Sequence, residues 1–319
     1  MRPIYPIRIA SRSLITLIII LALGSCGQEP QGGGGPETDQ GQVLGPPFSL
    51  TVSGVGFSTP ESVLHEPVAD VYLVANINGA PLAQDGNGFI SRVSPEGEIL
   101  NLNWIAGGKP GVTLNAPKGM ALVADTLFVA DIDCIRRFHR VTGVPFRALC
   151  LEDATFLNDL AATNRGDLYF TDSGTDQAPG VVYFLRHTAD VPQRVALADG
   201  TVLEGEGLGG PNGVFVDGRG LLVATFGSGE LFRITPEGER EQLLFPSGMG
   251  LDGIVSLEGG GILVSSWGDS TVYRIHPDGT VSPLIQEVET PADIGYDAVR
   301  NRLLIPLFRG DGILVLEVR

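Results

Sequence analysis

One phrase of sequence recurs six times between residues 48 and 319: a short strand, a Gly or Asp turn, a β-rich strand, then a third strand closed by a tight turn. The β-rich second strands read VYLVAN (71–76), LFVAD (127–131), LYFTD (168–172), LLVATF (221–226), ILVSSW (262–267) and LLIPLF (303–308). The third strands and their turns read ISRVSPEGEIL, IRRFHRVTGV, VVYFLRHTAD, LFRITPEGER, VYRIHPDGTV and a shortened ILVLEVR. No copy carries a sustained 3.6-residue period, so the units are built of strands. A unit of this size cannot bury its faces alone and must stack on its neighbours. The repeat therefore predicts an all-β fold, a six-bladed β-propeller with four-stranded antiparallel blades around a central channel.

Aligning the copies on the residue that opens the innermost strand tests the count. The aligned motifs are Pro60-Glu61-Ser62-Val63, Pro117-Lys118-Gly119-Met120, Leu157-Asn158-Asp159-Leu160, Pro211-Asn212-Gly213-Val214, Leu251-Asp252-Gly253-Ile254 and Pro291-Ala292-Asp293-Ile294. They are spaced 57, 40, 54, 40 and 40 residues apart, which fixes the repeat and puts insertions in blades one and three. The chain ends soon after the third strand of copy six. Phe48–Phe57 (FSLTVSGVGF) is thus expected to supply the outer strand of that blade and close the ring without open sheet edges.

This geometry predicts a ring of Glu61, Lys118, Asn158, Asn212, Asp252 and Ala292 at one mouth of the channel. The longest loops returning to that face, 77–88 and 173–180, are expected to border it as flaps. Asn76, Asp131 and Asp172 follow the second strands on one half of the ring, and Phe226, Trp267 and Phe308 on the other. A mouth with a polar half and an aromatic half suits a small-molecule substrate with an apolar body and one oxygen-rich group. The alternative is that the three aromatic side chains pack between blades as core.

The first thirty residues speak to location. Arg2, Arg8 and Arg12, with no acid nearby, precede the apolar run Leu14–Leu23, which is the order of a secretory signal over residues 1–25 and is short for a membrane span. The run ends in Leu23-Gly24-Ser25-Cys26, which resembles the lipobox of bacterial lipoproteins and implies lipidation of Cys26. Gly27 stands where aspartate would mark retention in the inner membrane, so the resemblance implies the outer membrane or cell surface, with the lipid anchor as the only contact with membrane. Residues 26–47 are rich in Gly, Pro and Gln with few apolar side chains and read as a flexible tether. Residues 48–319 are then a single propeller domain, expected to be monomeric.

Acids outnumber bases 37 to 21, a net charge of −16 that becomes three more negative if the signal arginines leave. That balance argues against nucleic acid and anionic membrane surfaces as partners, because both reward basic patches. Beyond Cys26 the chain has only Cys134 and Cys150. Folding their segment about Thr142 sets them directly opposite each other across a hairpin. Outside the cytoplasm such a pair can oxidise, and closing a loop of this length contributes on the order of 3 kcal/mol. Two buried free thiols are the alternative. No serine sits in a Gly-x-Ser-x-Gly elbow, no Cys/His cluster has zinc spacing, and the tract Gly32–Gly35 lacks the strand and helix of a phosphate loop.

Pro-Glu-Ser-Val opening the first blade, Asn-Asp in the third, Pro-Asn-Gly-Val in the fourth and Asp-Gly in the fifth together resemble the gluconolactonase/regucalcin group of six-bladed propellers, relatives of paraoxonases and diisopropylfluorophosphatase. The resemblance covers about residues 48–319. It implies a divalent ion held by Glu61, Asn158, Asn212 and Asp252, and hydrolysis of lactones, esters or phosphotriesters. A set of oxygen-only donors, two charged and two neutral, suits a hard cation such as Ca²⁺ rather than zinc or copper. Asp252 is expected to serve as base or nucleophile, and Lys118 to steady the developing oxyanion. Two features depart from the family. Lys118 brings an ammonium into the ring, where it competes with the ion for the same carboxylates, and the histidine pair of paraoxonases is missing. His65, His139, His187 and His276 are expected in loops or outer strands as surface or packing residues. The alternative to a hydrolase is a non-catalytic propeller that binds a protein or glycan in the cell envelope.

Overall fold

In Val71–Asn76 every residue is buried, and neighbouring side chains face opposite ways. Val71, Leu73 and Ala75 pack toward the second blade, while Tyr72 and Val74 pack toward the sixth. The same division splits Leu221 and Val223 from Leu222 and Ala224, and Leu303 and Ile305 from Leu304. A strand buried on both faces needs apolar side chains at successive positions, which is why these runs do not alternate with polar residues. In the computed structural model, which describes residues 48–243 and 250–318, this produces six large hydrophobic clusters, each spanning one seam between neighbouring blades, besides a small seventh of Ile77, Ala116 and Ile132. The core is a ring of seams, and no blade owns its own interior. Each fully buried Leu, Val or Phe in a seam contributes about 1.5–3 kcal/mol.

The expected architecture is found: six four-stranded antiparallel sheets form the blades of a propeller. The innermost strands are Pro60–Glu66, Pro117–Val123, Leu157–Ala162, Pro211–Asp217, Leu251–Ser256 and Gly295–Asp297. In blades one to five the remaining strands follow in chain order outward. Blade six takes its outer strand from Ser49–Ser53, which pairs with Gly312–Glu317 from Ser49↔Leu316 to Ser53↔Gly312. The ring closure expected from FSLTVSGVGF is therefore present. Among the described residues the only helical turn is Glu206–Leu208, and no helix is long and apolar enough to cross a membrane. The signal, Cys26 and the tether lie outside the described residues.

Cys134 and Cys150 face each other in the register of the third and outer strands of blade two and are joined as a disulfide. The seam between blades six and one carries a polar latch as well as apolar packing. Asp297 accepts from Tyr72 Oη at 2.9 Å and from Arg300 at 3.0 Å, and Arg300 reaches on to Asp70 at 2.8 Å. His65 joins this latch through Asp70 at 3.2 Å. It sits in the innermost strand of blade one, not in a loop or outer strand as expected, because its ring fills the space between two carboxylates at the blade-six seam.

Candidate metal and substrate site at the channel mouth

In blades one to five the innermost strand enters its sheet through an irregularity at the ring residue. The pairing of first and second strands slips between Pro117 and Met120, Leu157 and Leu160, Pro211 and Val214, and Leu251 and Ile254. A shorter slip between Pro60 and Ser62 surrounds Glu61. A residue freed from the ladder in this way is re-aimed by the bulge. Glu61, Lys118, Asn158, Asn212 and Asp252 all line one cavity of about 280 Å³, at the lower end of ordinary ligand pockets. Glycine follows the ring residue in blades two, four and five, and close approach demands it. A Cβ on Gly213 would lie 1.9 Å from the Asp252 carbonyl oxygen, and one on Gly253 would lie 2.2 Å from Ile294 N. Neighbouring innermost strands can converge on the channel only because these positions lack side chains.

The four oxygen donors point into the cavity without partners. Glu61 Oε2, Asn158 Oδ1, Asn212 Oδ1 and Asp252 Oδ1 are each buried with no hydrogen bond. Buried polar atoms are nearly always paired, so four orphan oxygens in one cavity, with the Trp267 indole N–H unpartnered beside them, require an explanation. The orientation of Asn158 is fixed by logic as well as geometry. Ser173 Oγ gives its one hydrogen to the Pro211 carbonyl at 2.8 Å, so it can only accept from Asn158 Nδ2 at 3.0 Å. The Asn158 carbonyl oxygen is thereby turned toward the cavity. Among the described residues no three His, Cys, Asp or Glu side chains gather as a metal site. What gathers is two carboxylates and two carboxamides, a donor set that fits a hard divalent cation.

Charge makes the same case. Directly beyond the ring, Asp159 and Asp293 line a second cavity of about 350 Å³ that occupies the rest of the channel. Asp159 accepts from Leu160 N at 2.6 Å and Val214 N at 2.7 Å, and Asp293 accepts from Ser62 Oγ at 2.5 Å. Four buried carboxylates thus line the channel, and of these Glu61 alone interacts with the buried Lys118 ammonium. Burial pushes Glu61 well above the usual carboxylate range, reinforced by Asp252 and Asp293 and opposed by Lys118. Asp252 rises for the same first reason and through Asp293, with the Trp267 indole pulling the other way. Burial and then Asp293 raise Asp159, and burial raises Asp293 to about 7. Burial pushes Lys118 down to about 8, against the pull of Glu61, Asp131 and Asp172. Its ammonium donates to the Ala116 carbonyl at 2.9 Å and lies 5.0 Å from the centre of the Phe156 ring.

The upper wall is hydrocarbon. Phe226, Trp267 and Phe308 do line the cavity, Phe226 edge-on to Trp267 with centroids 5.4 Å apart and Phe308 tilted against Trp267 at 4.8 Å. Ile77 and Pro81 from one flanking loop and Ser173 from the other complete it, together with Phe156. Phe156 carries no signal of its own in the repeat pattern, since it precedes the strand and is placed by its amide bonding to Asp172 at 2.9 Å.

Two expectations need correction. Asn76, Asp131 and Asp172 do not form a polar half of the mouth. Each is buried and spent on backbone: Asp131 accepts from Asn115 N and Ala116 N at 3.0 and 2.8 Å, Asp172 from Thr155 N and Phe156 N at 2.8 and 2.9 Å, and Asn76 from Ser58 N at 3.1 Å. These side chains satisfy the loops that lead into the innermost strands, so the polar side of the mouth is the ring itself. Ala292 is also absent from the cavity lining, being fully buried with its carbonyl accepting from Ser265 Oγ at 2.8 Å. None of the described histidines lines the cavity.

A six-bladed propeller with an oxygen-lined mouth is the class that fold and site define. Among solved structures the chain is similar to a streptogramin B lyase, at 14% identity over 86% of this chain and 98% of that one, with a TM-score of 0.60. It is also similar to a gluconolactonase from Xanthomonas campestris, at 17% identity over 86% and 99% with a TM-score of 0.54. A third is virginiamycin B lyase from Staphylococcus aureus, catalytically inactive through a histidine-to-alanine substitution and bound to quinupristin, at 14% identity over 86% and 100% with a TM-score of 0.54. At these identities the likeness establishes the shared fold. No protein-family model and no curated protein matches the sequence.

Proposed function

We propose that this chain is a divalent-cation-dependent hydrolase of lactone-like or ester substrates, working as a lipoprotein at the cell envelope. The observation that carries the reading is the convergence of four unpartnered buried oxygens, from Glu61, Asn158, Asn212 and Asp252, in one cavity. A scaffold that only holds a protein or glycan has no use for that arrangement. The likeness to a gluconolactonase supports lactone chemistry, and the N-terminal order ending in Cys26 supports the envelope. A lyase reading is less well supported. The staphylococcal lyase is inactive once a histidine is replaced by alanine, and none of the described histidines reaches this cavity.

The residues divide the work by chemistry. Glu61, Asn158, Asn212 and Asp252 would hold the cation, most simply Ca²⁺, and leave about two to four of its six to eight positions open. When bound, the cation polarises a carbonyl and neutralises the two carboxylates. Asp252, ionised under those conditions, accepts the proton of the attacking water. The Lys118 ammonium, held by Ala116 and the Phe156 face, donates to the oxygen on which negative charge develops. Phe226, Trp267 and Phe308 seat the body of the substrate.

Metal analysis of the purified protein followed by a panel of lactones and aryl esters tests the proposal. Asp252→Asn should bind the cation more weakly and lower kcat/KM by at least about a hundredfold. Failure to bind any divalent ion at millimolar calcium would sink it. An Asp252→Asn protein that lost thermal stability but kept full turnover would assign the ion a structural role.

A further inference from the structure

The cavity also says which esters fit. Apart from the ring residues, its lining is Ile77, Pro81, Phe156, Phe226, Trp267 and Phe308, with Ser173 as the one hydroxyl. Both hydrogen-bonding directions of Ser173 are already committed, one to Pro211 and one to Asn158. A bound cation would take the ring oxygens, and Lys118 offers its remaining hydrogens at a single point. A sugar lactone brings several hydroxyls into this space, and each one stripped of water without a partner costs about tenfold in affinity or more. The Trp267 indole N–H, buried without a hydrogen-bond partner, is one further donor there, and over the rest of the aromatic wall an alkyl or aryl group meets carbon. Phe226 is 38% exposed, so the aromatic cage stands open to an entering ligand.

Resting on the hydrolase reading, we infer that the site is specific for lactones or esters with a hydrocarbon or aromatic body and discriminates against polyhydroxylated aldonolactones. The carbonyl end lies at the oxygen ring beside Lys118. The apolar body lies among Phe156, Phe226, Trp267 and Phe308, in a space of about 280 Å³ that admits a body of modest size.

The chain has two tryptophans, Trp104 and Trp267, and only Trp267 lines the cavity, so its fluorescence reports occupancy without turnover. The full-length protein in millimolar calcium would be titrated with two hydrolytically stable lactams, δ-decanolactam and D-glucono-δ-lactam. The expected result is a saturable change in emission with δ-decanolactam, at a Kd at least about thirtyfold below that of the sugar lactam. The signal should vanish in Trp267→Phe and persist in Trp104→Phe. Phe226→Ser, at a partly exposed position, should weaken δ-decanolactam binding about tenfold. Equal or tighter binding of the sugar lactam, or no saturable change with either, would overturn the inference. The two readings separate cleanly. Binding of δ-decanolactam without hydrolysis of any lactone refutes the hydrolase and keeps the apolar site, whereas preferential hydrolysis of gluconolactone keeps the hydrolase and refutes the apolar site.

Discussion

Stripping the protein of divalent cations should leave a fold that weakens as pH rises toward neutrality, the reverse of ordinary acid denaturation. Asp293 allows the size to be worked out. Its carboxyl has an ordinary value of 3.8 in the unfolded chain and is raised by burial to about 7 in the folded one. A group whose folded value is raised holds its proton more tightly in the native state. Its contribution to stability is therefore fully present below about pH 4 and is lost as pH rises through 7. At about 1.4 kcal/mol per pH unit of separation, Asp293 alone costs the cation-free protein as much as about 4 kcal/mol between those limits. Glu61, Asp159 and Asp252 are raised as well and push in the same direction. The acids held below their usual range, among them Asp70 at about 2, act in the opposite sense but only below about pH 4, which leaves the window clear. Urea unfolding in chelator from pH 4.5 to 7.5 measures the slope, and Asp293→Asn, which preserves the acceptor for Ser62, should remove its share. A cation-free protein whose stability is flat or rises across that window, or an Asp293→Asn variant with the parental slope, would refute the reasoning.

Three other expectations follow from the same geometry. Ser173→Ala removes the acceptor that orients Asn158, so calcium affinity by titration calorimetry should fall about tenfold while the melting temperature in chelator barely moves; an unchanged affinity would mean that Asn158 is not oriented through Ser173. Gly213→Ala drives a methyl group into the Asp252 carbonyl, and overpacking of this kind should cost about 2–3 kcal/mol in urea unfolding together with a loss of cation affinity. For location, Cys26→Ser should shift the protein from the membrane to the soluble fraction in a salt-washed fractionation, and a variant that stays with the membrane would exclude a lipid anchor.

The blades were legible in the sequence because each apolar run has to serve two seams. VYLVAN and LLIPLF read as strands on composition alone, and the spacing of the Pro-x-Gly and Leu-Asp motifs counted the blades. The closing strand could be inferred from the missing outer strand of the last copy, and ring closure by Ser49–Ser53 bears that out. Alignment of the copies also predicted which residues share the mouth, and five of the six do line one cavity. Ala292 departs because the innermost strand of blade six is reduced to Gly295–Asp297, so the register that aims the other ring residues inward is not repeated there.

Tertiary structure decided what each polar side chain is for. Asp131 and Asp172 were expected to make the polar half of the mouth, yet the loops folding back over them turn their oxygens to backbone amides. Asp159 and Asp293 looked like neighbours of the ring, yet the pleat of the strands sends them to the next layer of the channel, where burial alone raises Asp293 to about 7. Phe156 and Ser173 carry no repeat signature, since Phe156 is placed by its amide's bond to Asp172 and Ser173 by its bond to Pro211 of blade four. A sequence repeat specifies which residues begin each strand, because that depends on local pattern. Which oxygens are left without partners depends on every neighbour at once, and only the assembled ring determines it.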